Sequence, residues 1–271
     1  MARHKLTPMQ LAAQPNSASI LLALDTSTER LAVAVQGADG QRWQVVAEGG
    51  ALASANLLPQ VAKLLAQAGL AYADLQAIAF GRGPGAFTGL RTACAVAQGI
   101  ALGLDKPVLP IDSLLIVAED ARLQHFAGLA QVDVAVAMDA RMDEVYAAVY
   151  RYAGGAWQVL QPSGLYSLPA LTAAWSALNV QAVAGSALHA FGERLPLPAD
   201  PLLLRVAQEH DRAAALLGLA AQAAQAGQGV DAALALPLYL RDKVAQTTAE
   251  RDAIKAEKAQ AAAIEIAGAV R

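Results

Sequence analysis

Two similar α/β lobes are predicted for this chain, and three observations predict them. A strand–Asp–turn–strand pattern occurs twice, strands alternate with helical stretches in both halves, and 56% of residues are hydrophobic, ample for a real core. The first copy is ALDTSTERLAVAV, Ala23 to Val35; the second is AMDARMDEVYAAV, Ala137 to Val149. Laid over each other, Asp25 falls on Asp139. Chance is the alternative, because hairpins with a leading Asp are common. The separation of the copies is close to a domain length, which favours duplication.

Taken in order, Ile20 to Leu24 is an apolar run, DTSTER from Asp25 to Arg30 is a turn, and Leu31 to Val35 alternates as a strand should. Trp43 to Ala47 reads as a third strand. Asn56 to Gly69 carries Leu57, Leu58, Val61, Leu64 and Leu65 at helical spacing and stops at a glycine. Ala77 to Phe80 is a short buried strand, followed by a glycine-rich loop, a helix from Thr88 to about Leu104 and a strand at Pro107 to Ile111. The second half opens with strands at Val132 to Met138 and Val145 to Tyr150. Ala182 to Gly185, followed by Ser186 to Leu195, weakly echoes the earlier strand, loop and helix. Prolines obscure the stretch from Leu160 to Asp211. Ala213 to Ala226 is an Ala/Leu-rich helix, and Leu238 to Leu240 is a candidate last strand. Thr247 and Glu250 have capping-box spacing at the head of a charged, alanine-rich helix. The expected organisation is therefore a loose tail over 1–19, a first lobe over 20–126, a second lobe over 127–245 and an appended helix over 246–271. The helix near 213–226 is a candidate to pack back on the first lobe.

The composition removes several function classes. A net charge of −3 with no run of like charge argues against a broad basic surface that could hold a nucleic-acid backbone unaided. The single cysteine, Cys94, gives no disulfide framework and no thiolate metal cluster, which fits a reducing compartment. The first residues lack the apolar middle of a secretion signal, and the most apolar stretch, Gly89 to Leu104, contains Arg91 and Gln98. A soluble, cytoplasmic chain with no membrane association is expected.

The sharpest candidate is GRGPGAFTGLR, in which Gly81, Arg82, Gly83, Pro84, Gly85, Thr88, Gly89 and Arg91 stand between a strand and a helix. It is neither a Walker loop nor a dinucleotide fingerprint. Two readings stay open: a tight crossover that needs glycine for geometry alone, or a loop approached by a phosphate or a partner. Thr88 is placed to cap the helix. Asp25 and Asp139, with Ser27, Arg141 and Glu144 beside them, lie where a two-lobed nucleotide-binding protein holds a hydrated metal on phosphates. The plainer reading, that each Asp accepts hydrogen bonds from its own turn, is preferred. His4, His125, His189 and His210 have no metal-ligand spacing, no Gly-x-Ser-x-Gly elbow occurs, and Cys94 sits in an apolar helix. No metal and no catalytic residue is expected. The helix from Thr88 has almost no polar face, so both sides need cover. Ala93, Ala97, Ile100 and Ala101 are the candidate surface for another chain, against burial under a helix of the same chain.

These residues resemble the bacterial TsaB (YeaZ) family. ILLALDTSTERLAVAV, GRGPGAFTGLR, AVAQGIALG with PID and Ser113, DARMDEVYAAVY and PLYLRDKVA are similar to its signatures, in its order, from Ile20 to Ala245. The resemblance implies a duplicated actin-like (ASKHA, ribonuclease H-like) fold and a non-catalytic subunit of tRNA threonylcarbamoyladenosine biosynthesis. It implies a heterodimer with the catalytic relative TsaD, a complex with the ATPase TsaE, and tRNA contact only through that complex. A homodimer in the partner's absence, and weak or partner-dependent ATP/ADP binding in a vestigial cleft, stay open. TsaD carries a histidine pair for an iron-type metal and a second-lobe glycine cluster. Here the helix from Thr88 has no histidine, and the second-lobe loop reads AGSALHAFG. The family's histidine before LLP is also missing, replaced by ALASAN, and its usual chain ends near YLR, so the tail after Ala245 has no assigned role. An ATP-dependent kinase or peptidase of the same fold, and an RNA-binding module, are the competing readings.

Overall fold

The computed structural model describes residues 18–241. The chain divides into a unit ending at Leu240, which holds both sheets, and a unit starting at Arg241. The tail expected over 1–19, except its last two residues, and the capped helix after Thr247 lie outside the described residues.

The first sheet is built from β1 (Leu21–Asp25), β2 (Arg30–Gln36), β3 (Arg42–Glu48), β4 (Ala77–Gly83) and β5 (Val108–Asp112), with α1 (Ala53–Ala68), α2 (Phe87–Leu104) and α3 (Ser113–His125) between and after them. The second comprises β6 (Gln131–Asp139), β7 (Glu144–Ala153), β8 (Ala156–Ser167), β9 (Ala182–Ala184) and β10 (Leu204–Val206). The helices α4 (Leu168–Ala174), α5 (Ala187–Phe191) and α6 (Arg212–Gln225) complete the chain.

The strand orders are β3-β2-β1-β4-β5 and, read the other way, β8-β7-β6-β9-β10. In each sheet the first two neighbour pairs are antiparallel and the last two parallel. The same order and polarity twice over is the duplicated actin-like architecture, and Asp25 and Asp139 occupy equivalent strand ends.

Burial explains the composition of the strands. β1 is central in its sheet, covered on both faces, and Leu21 to Asp25 are buried without a break. Leu22 and Leu24 face α1 and α2, whereas Leu21 and Ala23 face α6 and Ile116 of α3. The other side of α3, with Leu114, Val117 and Ala121, packs on Val132, Val134 and Val136 of the second sheet. On that sheet's far face, Leu171 of α4 and Phe191 of α5 cover Ala135, Ala137 and Val145. α3 and α6 thus form the middle of five layers. α1 ends as read, with Gly69 at φ 66° and the Leu70 amide donating to the Leu65 carbonyl.

Two local expectations are corrected. α2 starts at Phe87 after Ala86, whose side chain makes no cap, and Thr88 is an exposed first-turn residue whose carbonyl accepts from Thr92 Oγ1 at 3.0 Å. Leu238 to Leu240 form no strand; the segment from Val230 runs as a strap along α2, with a single bridge between Val230 and Val108. In addition, α3 and the long β8 were not legible in the sequence.

Candidate functional site

The glycine loop is filled by the first hairpin of its own chain. A Cβ at Gly81 would fall on Asp25 Oδ2, and one at Gly89 would fall on the Thr26 carbonyl oxygen, both far inside contact distance. Ser27 crowds Gly85 in the same way. The loop's polar groups are used in the same contact and toward the start of α3. Ala86 N donates to the Ser27 carbonyl at 2.7 Å, Thr26 Oγ1 donates to the Gly89 carbonyl at 2.6 Å, and Gly83 N donates to Ser113 Oγ at 3.0 Å. Of the two sequence readings, the close approach is that of the β1–β2 turn.

Asp25 is wholly buried, and its partner is a residue that sequence spacing does not reveal. Its Oδ1 accepts from Arg212 Nε at 2.9 Å, from Ser27 N at 3.0 Å and from Ser27 Oγ at 2.9 Å. Arg212 Nη2 donates to Ser27 Oγ at 2.9 Å, and Nη1 pairs with Glu209. Burial opposes the Arg212 charge, yet Asp25 and Glu209 outweigh it and hold its pKa above the ordinary arginine range. Asp25 does accept from its own turn, through Ser27, but its main counter-charge comes from α6. The only hint in the sequence is a lone arginine heading an apolar helix. With the carboxylate engaged by a guanidinium and Gly81 pressed against it, these residues do not fit a hydrated metal on a phosphate chain.

The second hairpin is different in character. Asp139 Oδ1 accepts from Arg141 N at 2.8 Å within its own turn, and Asp139 N donates to Ser186 Oγ at 3.1 Å. Arg141, Met142 and Asp143 all have left-handed backbones, with φ of 63°, 56° and 62°. Such conformations cost non-glycine residues roughly 1 kcal/mol each, and ion pairs pin this turn on both sides. Arg141 reaches Glu29 of the first hairpin at 3.4 Å, and Asp143 takes Arg194 at 2.7 Å. Glu144 lines an open groove with Ser167 and Arg194. Asp25 and Asp139 therefore do not form one acidic site: the first is neutralised in the core, the second caps a turn.

α2 presents the opposite face from the one expected. Ala93, Ala97 and Ala101 are buried against the sheet of their own chain, and Ile100 packs partly on the same core. The outward side carries Thr88, Arg91, Ala95, Gly99, Leu102 and Gly103. Added Cβ atoms at Gly99 and Gly103 would meet nothing within 4 Å. α2 is long and apolar enough to cross a membrane by composition, but its inner side belongs to the core. One flank is taken by the strap, since Gln98 Nε2 donates to the Ala232 and Ala235 carbonyls at 3.0 and 2.9 Å. Cys94 is buried there, and burial raises its thiol pKa, which disfavours the thiolate that a nucleophile needs. Arg82 donates nothing through its buried Nε, while its carbonyl accepts from Leu238 N at 2.6 Å; Pro84 is buried in the crossover. Arg91 lies 3.9 Å over the Phe87 ring and donates to Tyr239 Oη at 3.1 Å. Among the described residues no group of three or more His, Cys, Asp or Glu could hold a metal ion.

Comparison with known proteins agrees with this architecture. A family model described as "TsaD: tRNA N6-adenosine threonylcarbamoyltransferase" matches residues 51–270. The tRNA threonylcarbamoyladenosine biosynthesis protein TsaB of Escherichia coli is 32% identical over 237 residues, covering 83% of this chain and 96% of that protein. TsaB of Haemophilus influenzae is 43% identical over 126 residues, 46% of this chain and only 51% of that relative. The solved structure of YeaZ from Pseudomonas aeruginosa superposes with a TM-score of 0.71 at 40% identity, covering 82% of this chain and all of that one. Near-complete coverage of one TsaB relative, together with a duplicated fold shared with a YeaZ structure, places the chain: it belongs to the TsaB (YeaZ) family.

Proposed function

We propose that this chain is a non-catalytic scaffold subunit of tRNA threonylcarbamoyladenosine biosynthesis in the cytoplasm. In this reading it pairs with TsaD, joins a complex with TsaE, and shapes the cleft in which TsaD transfers the threonylcarbamoyl group to adenosine 37 of tRNA. The observation that carries the proposal is the Asp25–Arg212 pair, 2.9 Å apart with both side chains buried. The carboxylate that would organise a metal–nucleotide complex is committed to holding α6 on β1, so the chemistry falls to the partner. The outward side of α2 supplies the docking surface, since its small side chains let another helix approach closely. A kinase or peptidase reading draws no support from these residues, and the net charge of −3 disfavours tRNA binding by the chain alone.

The test uses the purified chain alone, with TsaD, and with TsaD and TsaE. Threonylcarbamoyl transfer to tRNA is expected only with the partners, together with little ATP turnover by the chain itself. Ala95→Trp should abolish pairing with TsaD and leave thermal unfolding unchanged; Ala97→Trp would instead disrupt the core. Transfer or steady ATP hydrolysis by the isolated chain would refute the proposal.

A further inference from the structure

We propose that the crevice beyond the ends of β4 and β5 is a binding site for the carboxylate group of a small molecule, held by Arg82. β1, β4 and β5 run parallel, side by side. The helices that follow β4 and β5 leave toward opposite faces of the sheet. α2, after β4, packs with Leu22, Leu24 and Phe80 on one face, whereas Ile116 of α3, after β5, packs with Leu21, Ala23 and Ala79 on the other. Connections that diverge from neighbouring parallel strands open a crevice beyond the strands' carboxyl ends, the usual place for a ligand in such a sheet. Its two lips are the glycine loop and the start of α3, joined where Gly83 N donates to Ser113 Oγ at 3.0 Å.

Irregularities in both sheets converge on this crevice. The register between β4 and β5 breaks between Gly81 and Gly83, so Arg82 stands out of the ladder, and a bulge at a strand end re-aims the side chain it carries. β8 loses register against β7 between Ala147 and Val149, and Ser163 stands in that break. Ser163 Oγ donates to Asp112 Oδ2 at 2.8 Å and lies 3.2 Å from Tyr150 Oη. The positive charge of Arg82 acts on the same phenol, against the effect of Asp112. β7 and β8 of the second lobe therefore wall the space into which Arg82 is turned.

Arg82 lacks an acceptor there. Among the described residues its half-buried side chain makes no hydrogen bond or ion pair, and its Nε is sealed from solvent. A sealed N–H left unpaired is costly, most of all on a charged group. Asp112 does not serve, because its Oδ1 accepts from Leu114 N at 2.9 Å and its Oδ2 from Ser163. An arriving carboxylate supplies the missing counter-charge and can accept two guanidinium N–H groups at once. Phosphate fits less well, since the Asp112 charge repels a dianion more strongly than a monoanion. The proposal is independent of pairing with TsaD, because every wall of the crevice belongs to this chain.

Acetate is the probe, titrated into the full chain at constant ionic strength with chloride as the balancing anion. It should raise the thermal unfolding temperature above that in chloride. The Arg82 Nε–H resonance, identified by its loss in Arg82→Lys, should move as acetate is added. Arg82→Met keeps the aliphatic stem but not the charge, and should weaken acetate binding about tenfold or more. Subtracting the response of this variant from that of the wild type removes general salt effects. The remaining stabilisation should be larger for acetate than for inorganic phosphate. If Arg82→Met fails to fold, the resonance in the wild type decides. Equal stabilisation of wild type and Arg82→Met by acetate overturns the proposal. So does an Nε–H resonance that stays in place, or a larger Arg82-dependent effect of phosphate.

Discussion

Arg212 Nε lies 2.9 Å from Asp25 Oδ1, with neither side chain open to solvent. The two residues come from α6 and β1 and are joined only by the fold. A buried pair of this kind contributes little net stability against an apolar substitute, because both charges were taken out of water to form it. Removing one partner is another matter, since the remaining charge stays buried without compensation. Arg212→Met should therefore cost about 3–5 kcal/mol in urea denaturation. Asp25→Asn/Arg212→Met should recover most of that loss. Equal destabilisation by the single and double variants would mean that the site tolerates a lone carboxylate.

The glycine loop separates positions that look alike in sequence. Gly89→Ala drives a methyl group into the Thr26 carbonyl, where backbone meets backbone and nothing can yield. It should prevent folding or displace the start of α2, visible as loss of soluble chain or of cooperative unfolding. Gly99→Ala meets open space on the same helix and should stabilise by about 0.8 kcal/mol, the ordinary helix-propensity gain.

Much of the first lobe was legible because its signals are local. β1 and β2 alternate or run apolar over short spans, α1 stops at Gly69, and the likeness of the two hairpins announces the duplication. α3 was missed for a physical reason. It is buried on both sides between the two sheets, and Glu119, Asp120 and Arg122 sit inside it at 3%, 2% and 8% exposure, which breaks the apolar stripe that periodicity relies on. Glu119 and Arg122 pair with each other at 2.7 Å within the helix, and other bonds come from far off in the chain, such as Trp157 Nε1 donating to Glu119 Oε2 at 2.9 Å and Asp211 N donating to Asp120 Oδ1 at 2.8 Å. The inner and outer faces of α2 were inverted because alanine and glycine fit either side, and only the sheet decides between them.

Tyr150 gives an alkaline signature. Burial, reinforced by the nearby Asp112 carboxylate, pushes its phenol well above the ordinary value of 10.0. Between that value and the raised one, the unfolded chain has lost the phenolic proton while the folded chain keeps it. The unfolded state then binds fewer protons, and stability falls with pH by up to about 1.4 kcal/mol per unit. Stability from this group is complete below about pH 10 and declines above it. Tyr150→Phe should lose that slope in unfolding measured across alkaline pH, at a cost near neutrality of about 1 kcal/mol for the contact with Ser163. An unchanged alkaline slope would place its origin elsewhere.

The far end of the strap over α2 carries an aromatic anchor. Leu238 N donates to the Arg82 carbonyl at 2.6 Å, and the next residue, Tyr239, accepts from Arg91 Nε and lies 5.2 Å from the Phe87 ring centre. Arg91 is thereby held over the Phe87 ring, 3.9 Å from its centre, and 5.9 Å from that of Tyr239, an arrangement worth about 0.5–1 kcal/mol at an exposed site. Leu236, on the same strap, is 70% exposed and leaves the anchor untouched. Tyr239→Ala should release the strap's end and speed hydrogen exchange at the Leu238 amide, with about 1 kcal/mol of local opening energy lost. Leu236→Ala should leave that amide unchanged. If both variants accelerate exchange alike, the strap is held by its backbone contacts and the ring cluster merely lies beside it.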